Sequence, residues 1–332
     1  MKILIAIHNK GIKDTVFNHE AIEKLNAVGD VIWLNDDTLD EEGLSKAVNE
    51  YDIILTSWGS PKFTEHVLKK AGRLKFIGHI AGTVVPIVDP YVFETDIKVV
   101  NANRVMAYST AELAVVLMLA GSWELKGFHD RIRQGKWSDN GKGMVPGMYG
   151  RTVGLIGYGE ISKEVIRLLN PFAPEILVYS GYCEKEEARK VGFTLVSLEE
   201  LLKRSDIVSL HNTLTPKTRG MIGREQLDMI KDGALVVNTA RGPVIQEEPL
   251  VEDLIQGRIV YAADVYDQEP LPKDHPFLKL PNVITTPHIG AFSQAWKNKM
   301  AFCVAEDIER WIKGDRPEGK VSLEQFKRMT PG

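Results

Sequence analysis

The chain begins with short apolar runs that alternate with segments of helical periodicity. Short apolar runs between polar residues are typical of buried parallel strands, whereas apolar residues spaced three and four apart indicate helices. In the first hundred residues the apolar runs lie at 3–7, 31–34, 53–56, 74–77 and 97–100. Segments of helical spacing lie between most of them, at 19–28, 41–49 and 64–71. This alternation predicts right-handed crossovers and a parallel sheet with helices on both faces.

A second strand–helix series follows a long helical stretch at 109–133. Its apolar runs lie at 153–156, 176–179, 207–210, 234–238, 260–264 and 283–286, and a last helix is predicted at 295–313. We therefore expect an α/β fold with two doubly wound parallel-sheet domains. An outer domain, residues 1–103 plus 294–332, is interrupted by an inner domain, residues 104–293. A cleft between two such domains is a usual place for a small-molecule site.

Composition narrows the class of protein. The 332 residues suit two domains of about 150 residues each, and 44% apolar with 26% charged residues is typical of globular proteins. A net charge of −4 offers no basic surface for nucleic acid. No apolar helical stretch reaches the ~20 residues that a bilayer requires, and no export signal is apparent. Cys183 and Cys303 suit a reducing compartment, and the eight histidines lack metal-ligand spacing. We expect a cytoplasmic protein without a membrane partner or a metal.

A glycine-rich turn follows the predicted strand 153–156 and precedes a helix. In Gly157-Tyr158-Gly159-Glu160-Ile161-Ser162, the first glycine permits a tight bend and the second lets a pyrophosphate approach the backbone. Ser162 stands at the third glycine position, where a small residue still allows close packing of helix and strand. The pattern indicates a dinucleotide-binding turn, and the alternative is an ordinary strand-to-helix turn.

The residue expected at the adenine ribose lies about 20 positions further on, at Ser180. No carboxylate stands there, so the usual repulsion against NADP is absent. Ser180 suits a 2′-hydroxyl or a 2′-phosphate, and Lys185 or Arg189 is placed to reach the latter. The cofactor is therefore NAD or NADP, and the alternative is that Ser180 only ends a strand.

Three polar residues, Arg241, Glu269 and His288, lie at or just past the ends of the last predicted strands. In an open α/β sheet, ligands bind outside the carboxyl ends of the strands. An arginine binds a carboxylate in a bidentate fork, a histidine exchanges protons near neutral pH, and a nearby carboxylate stabilises the imidazolium. These groups suit the reduction of a 2-oxo acid by hydride transfer. The alternative is a structural role for each: a loop histidine, an arginine capping strand carbonyls and a solvated glutamate.

The ordered motifs of the chain resemble those of the D-isomer-specific 2-hydroxyacid dehydrogenase family, which includes phosphoglycerate, glycerate and glyoxylate/hydroxypyruvate dehydrogenases. The resemblance covers nearly the whole chain and is carried by residues 153–162, 210–222, 236–244, 263–270 and 280–290. It implies two Rossmann-like domains around a cleft, a flavodoxin-like outer one and an NAD(P)-binding inner one. It also implies a homodimer built on the cofactor domain.

The resemblance implies that Arg241 binds the carboxylate and carbonyl of a small-molecule 2-oxo acid. It makes His288 the acid/base and Glu269 its partner. In the outer domain, Ala81-Gly82-Thr83 resembles the loop whose backbone amides hold the substrate carboxylate.

Further residues are implied for the cofactor. Asp264 is expected at the nicotinamide carboxamide, and the backbone N–H groups of Glu160 and Ile161 at the pyrophosphate. The other residues expected to border the cofactor are Gly157, Gly159, Ser180, Asn212, Thr213, Thr239, Ala240 and Gly290.

The chain departs from the family pattern around the substrate. Val84-Val85-Pro86 follows Thr83 where Gly-Val-Asp is usual, and Thr213 replaces a common proline. Asn103-Arg104 replaces a turn that usually contains glycine. Trp58 is also unusual, and it either lines the substrate pocket or packs between the domains. These departures leave the chemistry intact and leave the 2-hydroxy acid unspecified.

Three functions follow from these residues. The first is an NAD(P)-dependent dehydrogenase acting on a D-2-hydroxy acid, with His288 as acid/base. The second is phosphite oxidation, which keeps the same trio, whereas formate oxidation is disfavoured because formate enzymes carry glutamine at the position of Glu269. The third is a non-catalytic corepressor or scaffold that senses NAD(H).

Overall fold

A computed structural model describes residues 1–34, 39–137 and 144–330 of the chain. These residues form two compact units. The first unit contains Met1–Ser109 and Ala291–Gly332, and the second contains Thr110–Gly290. Both ends of the chain therefore build the first unit.

The first unit contains a parallel sheet whose order is β2-β1-β3-β4-β5. This is the flavodoxin-like order, and it confirms the predicted doubly wound architecture. The strands are β1 Lys2–Ile5, β2 Asp30–Trp33, β3 Ile53–Thr56, β4 Phe76–His79 and β5 Lys98–Asn101. The helices are Lys10–Val16, His19–Val28, Glu41–Glu50, Glu65–Lys69, Gln294–Lys297, Met300–Lys313 and Leu323–Arg328, with a 3-10 turn at Pro90–Glu94.

Every residue of β3 and β4 is buried, because helices cover both faces of the sheet. One face packs under His19–Val28 and Met300–Lys313, and the other packs under Glu41–Glu50 and Glu65–Lys69. The strands are therefore apolar along their whole length. For this reason apolar runs in the sequence located them.

The second unit contains a parallel sheet of order β12-β11-β10-β9-β6-β7-β8. Counted within the unit, this is the 3-2-1-4-5-6 Rossmann order with one strand added beyond the sixth. The strands are β6 Thr152–Ile156, β7 Glu175–Tyr179, β8 Thr194–Leu195, β9 Ile207–Leu210, β10 Leu235–Asn238, β11 Val260–Ala263 and β12 Val283–Thr285. The further helices are Asn103–Ser122, which begins at the end of the first unit, Leu125–Arg133, Glu160–Leu169, Lys185–Val191, Leu198–Arg204, Arg224–Asp228 and Glu247–Ile255, with 3-10 turns at Asn170–Phe172, Gly242–Val244 and Pro276–Leu278.

The prediction of one long helix at 109–133 is wrong. Two helices occupy this region, Asn103–Ser122 and Leu125–Arg133, because Glu124 adopts a left-handed conformation with φ 48° and interrupts the hydrogen-bond ladder. The last helix is likewise divided, into Gln294–Lys297 and Met300–Lys313. Helix periodicity continues across such breaks, so the sequence pattern does not locate them.

Among the described residues, only the helix Asn103–Ser122 is long and apolar enough to cross a membrane. Length and composition are weak grounds for a span, because the core helix of a soluble protein passes the same test. Ala111, Ala114 and Met118 of this helix are fully buried in the core of the second unit. The helix therefore serves as a core element here.

Candidate active site

The glycine-rich turn of the second unit has the geometry predicted for it. Gly157 follows β6 with φ 101°, and a Cβ at this position would lie 2.8 Å from the backbone nitrogen of Asn212. Glycine is therefore required both by the dihedral angle and by the space. Apart from its chain neighbours, no atom of the described residues lies within 4 Å of a Cβ placed on Gly159, so this side of the turn is open to a ligand.

Ser162 at the third position of the fingerprint joins the helix to the turn. It is fully buried, and its hydroxyl donates to the carbonyl oxygen of Gly157 at 2.8 Å. The helix Glu160–Leu169 begins directly after Gly159, so the first N–H groups of Glu160 and Ile161 point out of its N-terminus. Such an N-terminus is suited to a phosphate.

Three buried polar atoms near this turn have no hydrogen-bond partner within the described chain: Asn212 Oδ1, Thr239 Oγ1 and His211 Nδ1. They follow β9 and β10, which are neighbours in the sheet, and β6 lies beside β9. Buried polar atoms normally have a partner, so these three suit the hydroxyl, amide and phosphate groups of a bound dinucleotide. Thr213 and Ala240 lie next to two of them in the sequence, and a nicotinamide dinucleotide therefore fits the residues present.

Ser180 lies directly after β7, where the ribose-binding residue was predicted. Its side chain accepts a hydrogen bond from the backbone N–H of Tyr182 at 3.3 Å, so it helps to form the turn. Arg189 lies 3.5 Å from the carboxylate of Glu186. Both findings leave the choice between NAD and NADP open.

Arg241 lies on a turn whose position is fixed by its neighbours. Its carbonyl oxygen accepts from the Asn238 side chain at 3.0 Å, and its Nη1 donates to the carbonyl oxygen of Ala240 at 2.7 Å. A Cβ on Gly242 would lie 2.0 Å from the carbonyl carbon of Tyr266, so the turn after β10 touches the backbone of the loop after β11. Burial lowers the pKa of Arg241, and the negative charge of Glu269 on that loop opposes this effect.

Glu269 and His288, which were predicted to act together, are joined by a hydrogen bond. His288 Nδ1 lies 2.6 Å from Glu269 Oε2, and both side chains remain partly exposed. The other carboxylate oxygen of Glu269 accepts from the backbone N–H of Tyr266 at 3.0 Å. His288 adopts a left-handed conformation with φ 53°, which is unusual for a residue other than glycine.

Asp264 stabilises the loop that carries His288 through three hydrogen bonds. One carboxylate oxygen accepts from the Thr286 hydroxyl at 2.6 Å and from the Ile289 backbone N–H at 2.8 Å. The other oxygen accepts from the Gly290 backbone N–H at 2.8 Å. Asp264 is only 2% exposed, so its carboxylate stabilises the chain on both sides of His288. The expected contact with a nicotinamide carboxamide stays a prediction.

The substrate residues predicted from the sequence lie at the carboxyl ends of β3 and β4 in the first unit. Within the described chain, the backbone N–H groups of Ala81, Gly82 and Thr83 have no protein acceptor, as a carboxylate-binding loop requires. The Thr83 hydroxyl donates to the carbonyl oxygen of Thr330 at 2.9 Å, so this side chain is already engaged. Trp58 follows β3 and is 38% exposed.

Two groups that position the site were missed by sequence reasoning. His211 is half-buried with its Nδ1 atom inaccessible, its Nε2 lies 2.9 Å from Ser209 Oγ, and desolvation of the ring lowers its pKa to about 4. The two-residue spacing of Ser209 and His211 at the end of a strand was the available signal, because it puts both side chains on one face. The Tyr266 hydroxyl lies within hydrogen-bond distance of the carbonyl oxygens of Ala263, at 3.0 Å, and Thr286, at 2.8 Å, and no local pattern indicated this role.

The chemistry available at the end of this sheet is binding of an anion and movement of a proton. A guanidinium, an imidazole and a carboxylate lie on the loops after three neighbouring strands, β10, β11 and β12. Beside them, the turn after β6 and the buried polar atoms after β9 and β10 suit a dinucleotide. A dinucleotide site next to an acid/base pair is the arrangement of a nicotinamide-dependent oxidoreductase.

Comparison with known proteins agrees with this geometry. Residues 115–290 match the D-isomer specific 2-hydroxyacid dehydrogenase, NAD binding domain. D-3-phosphoglycerate dehydrogenase of Methanocaldococcus jannaschii is 38% identical over 95% of this chain, which spans 60% of the length of that relative. Glyoxylate reductase of Korarchaeum cryptofilum is 33% identical over 91% of this chain and 92% of its own length. An acyclic imino acid reductase in complex with NADPH and D-Arg has a TM-score of 0.77 and 25% identity, covering 97% of this chain and all of that one. The chain therefore belongs to the D-isomer specific 2-hydroxyacid dehydrogenase family.

Proposed function

We propose that this protein interconverts a D-2-hydroxy acid and the corresponding 2-oxo acid with NAD or NADP, and that His288 is the acid/base. The observation that carries the proposal is the 2.6 Å contact between His288 Nδ1 and Glu269 Oε2, beside the turn of Arg241. The similarity to glyoxylate reductases along nearly their whole length supports the same reaction class.

Arg241 binds the substrate carboxylate and carbonyl oxygen in this proposal. One of its terminal nitrogens is held by the carbonyl oxygen of Ala240, which fixes the plane of the guanidinium. In the described part of the chain its other N–H donors have no protein partner and are available to a ligand. A fixed, partly buried guanidinium stabilises the negative charge that develops on the carbonyl oxygen during reduction.

His288 supplies the proton in the direction of reduction. With Nδ1 directed at Glu269, the Nε2 atom is the one that can donate to the substrate oxygen. Glu269 stabilises the imidazolium before transfer and keeps the ring oriented afterwards. In the opposite direction, neutral His288 removes the proton from the substrate hydroxyl.

A nicotinamide dinucleotide bound at this site would supply or accept the hydride at the substrate C2. The residues proposed to hold it are those whose geometry suits it. They are Gly157, Gly159, Glu160, Ile161, Ser180, Asn212, Thr213, Thr239, Ala240, Asp264 and Gly290. A helix N-terminus and unpartnered buried polar atoms support this assignment.

In the first unit we propose that the backbone N–H groups of Ala81, Gly82 and Thr83 bind a carboxylate. Their lack of acceptors in the described chain supports this role. Trp58 is proposed to contact the substrate, because it follows β3 beside this loop and is partly exposed.

The test follows NADH and NADPH absorbance with a panel of 2-oxo acids for wild type, His288→Gln and Glu269→Gln. We expect turnover with at least one acid, a loss of about 100-fold or more in His288→Gln, and a loss of about tenfold in Glu269→Gln. His19→Gln is the matched control, since His19 lies 3.4 Å from Glu23 in an exposed pair. Near-normal turnover in His288→Gln would contradict the proposal. In a parallel assay with oxidised cofactor, reduction of NAD⁺ or NADP⁺ by phosphite, without turnover of any 2-oxo acid, would favour phosphite oxidation. Cofactor binding without any turnover would favour a sensor.

We also propose a cytoplasmic homodimer without a membrane or nucleic-acid partner. An exposed apolar face on Leu125–Arg133 supports the dimer: Leu125 is 54% exposed, Phe128 37% and Ile132 50%. Light scattering of wild type and Phe128→Asp tests this, with a dimer expected for wild type and a monomer for the variant. A monomeric wild type would exclude the dimer. The free cysteines Cys183 and Cys303 support a reducing compartment, which cell fractionation tests.

A further inference from the structure

The first unit has its own sheet edge suited to a ligand. In the order β2-β1-β3-β4-β5 the chain leaves β1 toward one side of the sheet and β3 toward the other. Ligands of open α/β sheets bind at the carboxyl ends of two such strands. Here the residues past these ends are His8 and the turn Ser57-Trp58-Gly59-Ser60, and a Cβ on Gly59 would lie 3.6 Å from His8 Cε1.

The turn that carries Trp58 is held from both sides. The Ser60 hydroxyl donates to the carbonyl oxygen of Ala6 at 2.8 Å and accepts from the Ser57 backbone N–H at 3.0 Å. The Ser57 hydroxyl donates to the carbonyl oxygen of Ile80 at 2.9 Å. Trp58 is thus fixed next to the loop that begins at Ala81, while its ring remains accessible.

The ammonium of Lys297 lies over two accessible aromatic rings in the same unit. It is 4.4 Å from the ring centroid of Phe292 and 5.9 Å from that of Trp58. Phe292 is 61% exposed and Trp58 is 38% exposed, so the rings leave open space around the ammonium. Contacts with ring faces hold a cation in place and leave its N–H groups available for hydrogen bonds.

Within the described residues no carboxylate lies within 4.0 Å of the Lys297 ammonium, a property that it shares with Lys299, which lies over the Trp296 ring. The other ring-contacting lysines are paired with carboxylates. Lys24 lies over Phe302 and is neutralised by Glu309 at 2.7 Å. The ring-contacting lysines that follow the same pattern are Lys69 with Glu65 and Lys163 with Glu160. The positive charge of Lys297 is therefore available to an external anion.

We propose that Lys297, Phe292 and Trp58 form a subsite that binds a carboxylate or phosphate group carried on a short apolar chain. The ammonium would bind the anionic group, and the two rings would cover the apolar part of the ligand. Resting on the proposed function, the inference makes Lys297 the residue that selects 2-oxo acids with a second anionic group on the side chain.

The experiment measures kcat and KM for 2-oxopentanoate, 2-oxoglutarate and phosphohydroxypyruvate with wild type and Lys297→Met. We expect wild type to prefer one of the two acids with a second anion, and that acid identifies the group as carboxylate or phosphate. Lys297→Met raises its KM about tenfold or more with kcat retained. The KM for 2-oxopentanoate changes less than about twofold in the same variant. Lys299→Met is the matched control, since Lys299 lies over a different ring, Trp296, at 4.9 Å.

Equal KM changes for all three acids, or none for the preferred one, would overturn the subsite. Absence of turnover with any acid would contradict the proposed function. In that case calorimetric titration with succinate and with inorganic phosphate tests whether the subsite binds an anion. Binding that is lost in Lys297→Met and kept in Lys299→Met supports it. Equal binding to wild type and Lys297→Met, or no binding to wild type, overturns it.

Discussion

Replacing Asp264 by asparagine changes one oxygen of a carboxylate that holds both sides of the His288 loop. Thr286 and Ile289 donate to one oxygen and Gly290 donates to the other, at 2.6–2.8 Å. In either orientation of the new amide, an NH₂ group faces at least one of these donors. The variant therefore loses at least one hydrogen bond that ends on a buried charge.

The size of the effect follows from burial. Asp264 is 2% exposed, so a donor that loses it has no nearby water as a substitute. A buried N–H left without an acceptor costs about 1–3 kcal/mol, which changes the ratio of the ordered to the relaxed conformation of the His288 loop by about 5- to 150-fold. His288 is held at φ 53°, a conformation that costs an ordinary residue about 1–2 kcal/mol, so the loop relaxes once its contacts weaken. We expect kcat to fall about 10- to 100-fold.

The assay is kcat at saturating cofactor and substrate, together with the dissociation constant of the cofactor measured by fluorescence. Asp267→Asn is the matched control, because it makes the same change at an exposed carboxylate three residues away. A kcat within about threefold of wild type would refute a positioning role for Asp264. Loss of cofactor affinity alone would instead assign Asp264 to the nicotinamide carboxamide.

Three further predictions concern stability and cofactor binding. Burial lowers the pKa of His79 from 6.5 to about 3, so the unfolded chain binds the proton first and the free energy of unfolding falls as pH drops below 6.5. Urea titration measures how much the free energy of unfolding decreases between pH 7 and pH 5. We expect this decrease to be about 2 kcal/mol smaller in His79→Gln than in wild type, and equal decreases would contradict the prediction. Gly157→Ala should lower both the melting temperature and the cofactor affinity, since its Cβ would lie 2.8 Å from the backbone of Asn212. Gly159→Ala should lower the affinity alone, because its Cβ has no neighbour within 4 Å among the described residues beyond those adjacent in the chain. A drop in its melting temperature would count against the proposed ligand space.

Apolar runs in the sequence located most of the strands, because parallel strands covered on both faces are apolar throughout. The apolar runs did not predict β8, a two-residue strand at the sheet edge, and they placed β4 two residues too early. The helix break at Glu124 was missed for a related reason. A single left-handed residue leaves the apolar spacing on either side unchanged.

The candidate site was also predicted in part. Strand ends put Arg241, Glu269 and His288 on one rim, because carboxyl ends of parallel strands meet at one edge. The contacts of Asp264 were not predictable, since its partners lie 22 to 26 residues later in the chain. Lys297 is the last residue of the short helix Gln294–Lys297, and the sequence pattern, which predicts one helix over 295–313, does not mark this end.

The absence of a side chain at Gly242 limits how this protein can change. Because main chain touches main chain there, the spacing between the turn of Arg241 and the loop of Glu269 is set by the backbone and does not vary with rotamer. Substitutions around the sheet edge of the first unit, at 57–60 and 291–297, leave that spacing untouched. If the proposed function holds, selection for a new substrate can therefore proceed in one unit while the spacing of Arg241 and Glu269 in the other stays constant.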